Sequence, residues 1–164
     1  MMSLAAVAFE FVKESTMYDR ILVPIDGSPT SERALAEAAG LARLCSATLR
    51  LIHVMDPLTH ITGYERPDVY VREIEPAIRK AALALLAKAR DSVADDRVRV
   101  ETALIDSQGE RVSDLILDQA KAWPADLVVI GTHGRRGVDR VLMGSDAEQV
   151  ARRSPVPVLL VRLR

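Results

Sequence analysis

The sequence predicts a single α/β domain: a doubly wound, five-stranded parallel sheet with helices on both faces. Three observations carry this. Short apolar runs alternate with stretches of helical periodicity, in the order β-α-β-α-β-α-β-α-β. Several of those runs are nearly continuous, the pattern of strands buried on both faces. The chain has 164 residues, 49% of them hydrophobic, enough for one real core. Residues 1–16 read as a loose extension and residues 17–164 as the domain, with Met17 a candidate true start.

Arg20-Ile21-Leu22-Val23-Pro24-Ile25 is the first strand, ended by Asp26-Gly27-Ser28-Pro29. Ser28 suits an N-cap and Pro29 the first helical position. The helix that follows carries Leu35, Ala38, Ala39, Ala42 and Cys45 at spacings of three and four. Thr48 to Val54 is the second strand, and residues 55–68, holding Pro, Gly and Thr, read as a loop. From Tyr70 to Val93 the positions Val71, Ile74, Ile78, Ala81, Leu85 and Ala89 make one helical stripe. Val98 to Ile105 alternates as a third strand. Ser107-Gln108-Gly109-Glu110 has capping-box spacing and opens a helix through Val112, Leu115, Ile116 and Ala120. Asp126-Leu127-Val128-Val129-Ile130 is the fourth strand. A glycine-bearing loop and a helix from about Ser145 to Arg153 come next. Val156 to Val161 closes the chain as a fifth strand, interrupted early by Pro157.

Composition removes several functions. Lys and Arg total 22 against 23 Asp and Glu, a formal charge of −1, so the chain lacks the basic face that holds nucleic acid by counterion release. Its six scattered aromatics make no stacking platform for single strands. Cys45 stands alone, so neither an internal disulfide nor a CxxC zinc pair is present. No apolar run approaches the roughly 18 residues of a membrane span. Leu4-Ala5-Ala6-Val7-Ala8-Phe9 is too short for a signal peptide, has no basic residue ahead of it and runs into Glu10. The expectation is a soluble, cytoplasmic protein with no nucleic-acid or membrane partner.

In doubly wound sheets, ligands sit beyond the carboxyl ends of the strands, where strand order reverses. Two connections at that end stand out: Pro24-Ile25-Asp26-Gly27 after strand one, and the loop after strand four. Of eight glycines, four lie between 131 and 144, which suggests backbone approaching a ligand closely. Gly131 and Gly134 can bring main-chain N–H groups to a phosphate chain. Gly144 and Ser145 stand where the next helix begins, so its unpaired N–H groups face the same anion. Arg135, Arg136 and Arg140 add positive charge. The competing reading is a surface turn with solvated arginines and an ordinary cap, since Ser145-Asp146-Ala147-Glu148 is itself a capping box. There is no GxxxxGK[ST] motif, and no GxGxxG follows strand one.

Gly131-x2-Gly134-x9-Gly144-Ser145, flanked by Asp126-Leu127-Val128-Val129-Ile130 and Pro155-Val156-Pro157-Val158-Leu159-Leu160-Val161, resembles the universal stress protein family. Ile21-Leu22-Val23-Pro24-Ile25-Asp26-Gly27-Ser28 and the strand ending in His53-Val54 match its other landmarks. Together these cover residues 18–163, and the full glycine spacing marks the ATP-binding branch. The resemblance implies strand order 3-2-1-4-5, in the manner of the adenine-nucleotide alpha-hydrolase fold. It implies that Asp26 bonds the ribose hydroxyls, that Pro24 and Val54 line the adenine slot and that Ile130 lines the pocket. It also implies that Gly131, His133, Gly134, Gly144 and Ser145 hold the phosphates of ATP, ADP or AMP, with Mg²⁺ between their oxygens. A carboxylate at 26 suits two hydroxyl donors better than phosphate; its alternative is a turn residue ahead of the Ser28 cap. Asp146 departs from the family pattern, because a carboxylate beside phosphate repels it unless turned to solvent. It can also simply complement the helix dipole.

The expected function is therefore an ATP-binding stress-response regulator in which the nucleotide switches shape or an unidentified protein partner. The alternatives are a slow ATPase or autophosphorylating enzyme, and a dimeric scaffold with an AMP-filled or empty pocket. Binding is favoured over efficient catalysis, because the loop offers His133, Ser145 and arginines but no lysine. No catalytic or metal-ligating residue is assigned: His53 and His60 lack partners at ligand spacing, and His53 reads as packed or water-bonded. Cys45 reads as a small buried hydrophobe, and Trp123 as packing the close of its helix against the sheet. The apolar last strand, 156–161, is a sheet edge seldom left bare, and the resemblance implies that it pairs across a two-fold axis in a homodimer.

Overall fold

A computed structural model describes residues 17–56, 69–94, 97–132 and 144–163. The strands are β1 (Arg20–Pro24), β2 (Thr48–Met55), β3 (Arg99–Asp106), β4 (Leu127–Gly131) and β5 (Val158–Val161). The helices are α1 (Pro29–Cys45), α2 (Glu75–Val93, entered through a wide π-helical turn at Tyr70–Ile74), α3 (Val112–Ala122) and α4 (Ser145–Arg153). All strand pairings are parallel, in the order β3-β2-β1-β4-β5. The predicted fold and strand order are therefore realised. Residues 1–16, read as a loose extension, lie outside the described residues.

Each strand sends alternate side chains to opposite faces. Ile21 and Val23, Leu49 and Leu51, and Leu127 and Val129 pack with Ala34, Leu35, Ala38 and Ala42 of α1 and Leu86 of α2. Leu22, Ile52, Val128 and Ile130 pack on the other side with Ile116, Leu117 and Ala120 of α3 and Ala147 and Val150 of α4. Small alanines let α1 lie close to the sheet, and its N-cap is Ser28, whose Oγ accepts the Ser31 N–H at 3.2 Å. Cys45 is half-buried at the edge of that core.

Local chemistry shifts several boundaries. β5 begins at Val158 rather than Val156, because Pro157 has no N–H to give the ladder; its carbonyl accepts from Val128 N–H at 3.0 Å. Asp126 precedes β4, and its carboxylate takes the Asp19 N–H at 2.7 Å and the Arg20 N–H at 3.1 Å. The Ser107–Glu110 segment is a turn and not a helix cap. Glu110 Oε2 accepts the Gln108 N–H at 2.7 Å, while α3 starts after Arg111 with no side-chain cap. In α2 the buried positions are Ala82, Leu86 and Ala89, and Ala81 is exposed. Leu85 of the predicted stripe packs against the same core.

Trp123 closes α3 against the sheet, 9% exposed. The Arg50 guanidinium lies 4.7 Å from its ring centroid and donates to Glu101 Oε2 at 2.7 Å. Arg20 donates to the Trp123 carbonyl at 3.3 Å. Among the described residues no helix is long and apolar enough to cross a membrane.

Candidate functional site

β1 lies between β2 and β4, so the carboxyl ends of these three strands converge on one edge, where the chain reverses its direction of winding. Pro24, the last residue of β1, stands opposite Ile52. Val54, next to last in β2, is half-buried and stands opposite Ile105. Gly131 ends β4 opposite Val161. The sequence-predicted residues Pro24, Asp26, Val54, Ile130 and Gly131 are thus gathered at the edge where a ligand would dock.

Asp26 follows directly. The ladder between β1 and β2 runs one rung past the strand, with Ile25 N–H donating to the Ile52 carbonyl at 2.7 Å. The half-buried Asp26 carboxylate then accepts the Ser28 N–H through Oδ1 at 2.9 Å. This is an Asx turn. Gly27 supplies the positive φ of +78° that the turn requires. The turn function of Asp26 is therefore real, but it does not exhaust the group, because a carboxylate has about four lone-pair sites.

The two described residues that flank the loop after β4, Thr132 and Gly144, meet. Thr132, fully buried, donates its N–H to the Val161 carbonyl at 2.8 Å, and its own carbonyl accepts the Gly144 N–H at 2.7 Å. Gly144, twelve positions beyond Thr132, is thereby returned to the end of β4. It forms the N-cap of α4, with no side-chain cap bond. Ser145 is the first helical residue and exposed, so it does not serve as the cap of a Ser145–Glu148 box. The helix start is left to glycine, whose backbone can approach a ligand without a side chain in the way. Asp146 is exposed, with Glu148 in the same first turn and Arg152 and Arg153 in the last. That distribution complements the helix dipole. His133, Gly134, Arg135, Arg136 and Arg140 lie outside the described residues.

Two residues carry packing roles that sequence reading did not weigh. A Cβ on Gly131 would sit 2.8 Å from the Thr30 carbonyl carbon and 2.9 Å from its Cβ. Glycine is required there by the approach of α1, whatever it does for a phosphate. Ile130 is buried at 6% exposure in the α3–α4 core, so its side chain supports the edge from beneath. Thr30 itself was missed by sequence reading; its hydroxyl lies 3.1 Å from Ser28 Oγ within a buried first turn. The only sequence signal was its place directly after the Ser28-Pro29 cap. His53 is buried, and its Nδ1 lies 2.6 Å from the Ile25 carbonyl oxygen. It is packed, as its place in the strand suggested, but against the loop that leads to Asp26.

At the far carboxyl end, Arg79 of α2 grips both oxygens of Asp106 at 2.9 and 2.8 Å. The bond and charge of Asp106 raise the guanidinium pKa further. Among the described residues no group of three His, Cys, Asp or Glu could hold a metal. A divalent ion at this edge would depend mainly on oxygens brought by a ligand, as Mg²⁺ commonly does.

The universal stress protein family model matches residues 17–162. Universal stress protein YxiE of Bacillus subtilis is 34% identical over 151 residues, covering 89% of this chain and all of that one. A solved universal stress protein in complex with cAMP is 25% identical with a TM-score of 0.64, covering 88% of this chain and 96% of that one. One from Archaeoglobus fulgidus in complex with dAMP is 26% identical with a TM-score of 0.60, covering 88% and 98%.

Proposed function

This chain belongs to the universal stress protein family, and from that premise we propose that it binds an adenine nucleotide, ATP foremost, at the carboxyl edge between β1 and β4. The observation that carries the reading is the Thr132–Gly144 hydrogen bond. It brings a glycine-capped helix N-terminus, an anion-favouring feature, to the edge that holds the Asp26 carboxylate. One end of that edge suits phosphate and the other suits hydroxyl donors. Two solved relatives, bound to cAMP and dAMP, support an adenine nucleotide.

In this reading Asp26 takes the ribose hydroxyls, and Pro24 and Val54 flank the adenine. Ile130 backs the pocket. Gly131, His133, Gly134, Gly144 and Ser145 surround the phosphates, with Mg²⁺ between phosphate oxygens. The nucleotide acts as a conformational or partner switch in a cytoplasmic regulator. Asp146 is exposed, and in this reading its carboxylate faces solvent and complements the helix dipole. Catalysis beyond slow hydrolysis is not favoured, because the loop after β4 carries no lysine to clamp a γ-phosphate. We also propose a homodimer through β5. It is an edge strand, and Leu159 stays 37% exposed there.

Calorimetry with ATP, ADP and AMP, each with and without Mg²⁺, tests the reading, together with identification of any nucleotide released on denaturing fresh protein. Binding of none of the three, with none released, would remove it. Single-turnover hydrolysis separates a switch from an enzyme, with Asp26→Ala as control: turnover whose dependence on ATP concentration is unchanged by the substitution belongs to a contaminant.

A further inference from the structure

We infer that His53 is a positioning residue for the ribose-binding carboxylate, acting through the peptide bond that joins Ile25 to Asp26. The inference rests on the nucleotide-binding reading of the same site. His53 lies on β2, 6% exposed, on the α1–α2 face shared by Leu49 and Leu51. Most strand residues of that face are aliphatic, so an imidazole here calls for a polar partner. It has one in the Ile25 carbonyl oxygen, 2.6 Å from Nδ1. A carbonyl only accepts, so Nδ1 carries the proton and donates it.

The consequence follows from peptide geometry. Ile25 lies just past the end of β1, and both of its backbone polar groups are held by β2: the N–H by the Ile52 carbonyl at 2.7 Å, the carbonyl by the His53 ring. The Ile25 carbonyl and the Asp26 N–H belong to one planar unit, flanked by two soft rotations. A peptide plane beyond the last ladder rung would ordinarily swing about those rotations. A buried ring holding its oxygen stops the swing and sets the direction in which the chain departs toward Asp26. The Ser28 N–H then holds the carboxylate from the other side at 2.9 Å. An aliphatic residue at 53 would fill the buried face equally well. It would leave the Ile25 carbonyl without this donor, and a buried acceptor that loses its partner drives the plane to turn.

The test uses the full chain and two ligands that differ only at the ribose, ATP and 2′,3′-dideoxy-ATP, with calorimetric affinities and melting curves for each protein. The natural protein is expected to favour ATP by about tenfold or more, the scale of a hydrogen bond to a charged group. His53→Leu is expected to bind both ligands with a ratio near one. His53→Asn, whose amide nitrogen stands near the place of Nδ1, restores the ratio; His53→Gln, which mimics Nε2, does not. A general loss of stability would weaken both ligands alike and leave the ratio intact. If His53→Leu keeps the natural ratio, or Asn and Gln behave alike, the positioning role is overturned while nucleotide binding stands. Should His53→Leu fail to fold, the Asn and Gln pair decides by itself. If the natural protein binds neither ligand, the nucleotide reading fails and this inference falls with it.

Discussion

The backbone of Thr30, in the first turn of α1, approaches Gly131 so closely that a methyl group on the glycine would lie 2.8 Å from the Thr30 carbonyl carbon. The helix that follows β1 is thus locked against the end of β4, across the site. Gly131→Ala is expected to destabilise by about 1–3 kcal/mol, the usual cost of overpacking. Two of the three nearest atoms are Thr30 backbone, so Thr30→Ala should not rescue it. Thermal unfolding of the single and double variants checks this. A stable Gly131→Ala would mean that α1 yields without cost.

Asp26 serves the Asx turn and the proposed ribose contact with one carboxylate, and two substitutions separate the roles. Asp26→Asn keeps an acceptor for the Ser28 N–H and should leave the melting temperature nearly unchanged, while ATP affinity falls by about tenfold. Asp26→Ala should lose that affinity and about 1 kcal/mol of stability as well. Calorimetry and melting curves on both variants test the division.

At the opposite end of the sheet, the Asp126 carboxylate receives the N–H groups of Asp19 and Arg20 where β1 begins. Removing it in Asp126→Ala should cost about 1–3 kcal/mol in denaturant unfolding. ATP affinity should not change, because the nucleotide edge lies at the other end of the strands. A change in affinity would show that the sheet transmits strain from one end to the other.

Arg50 stacks on Trp123 while its fork holds Glu101. Lysine keeps the charge but neither the planar stack nor the fork. Arg50→Lys is expected to lower stability by about 1 kcal/mol, with the loss persisting in high salt to the extent that stacking, not ion pairing, carries it. Chemical denaturation at two ionic strengths measures the split.

The homodimer reading predicts a single species of twice the chain mass in sedimentation at micromolar concentration. A charge on the exposed edge, Leu159→Lys, should shift it to monomer. A natural protein that sediments as a monomer rules the dimer out.

The sequence by itself determined the architecture and the address of the site. Alternating apolar runs and helical stripes specified five parallel strands with helices on both faces, because strand and helix periodicities differ and each must bury its apolar side. Ser28-Pro29 announced the start of α1, since both residues act on the turn they occupy. Asp26 and Gly131 could be assigned to the carboxyl edge because strand ends follow from the same patterns. Proximity across the sheet was left to the tertiary structure. That Gly131 is a packing glycine depends on Thr30, one hundred and one positions away. That His53 holds the Ile25 carbonyl depends on the register of β2 against β1. Ser107–Glu110 and Ser145–Glu148 both read as helix caps, and neither caps a helix. Spacing records which bonds a segment can make, while the packed neighbours decide which of them are made.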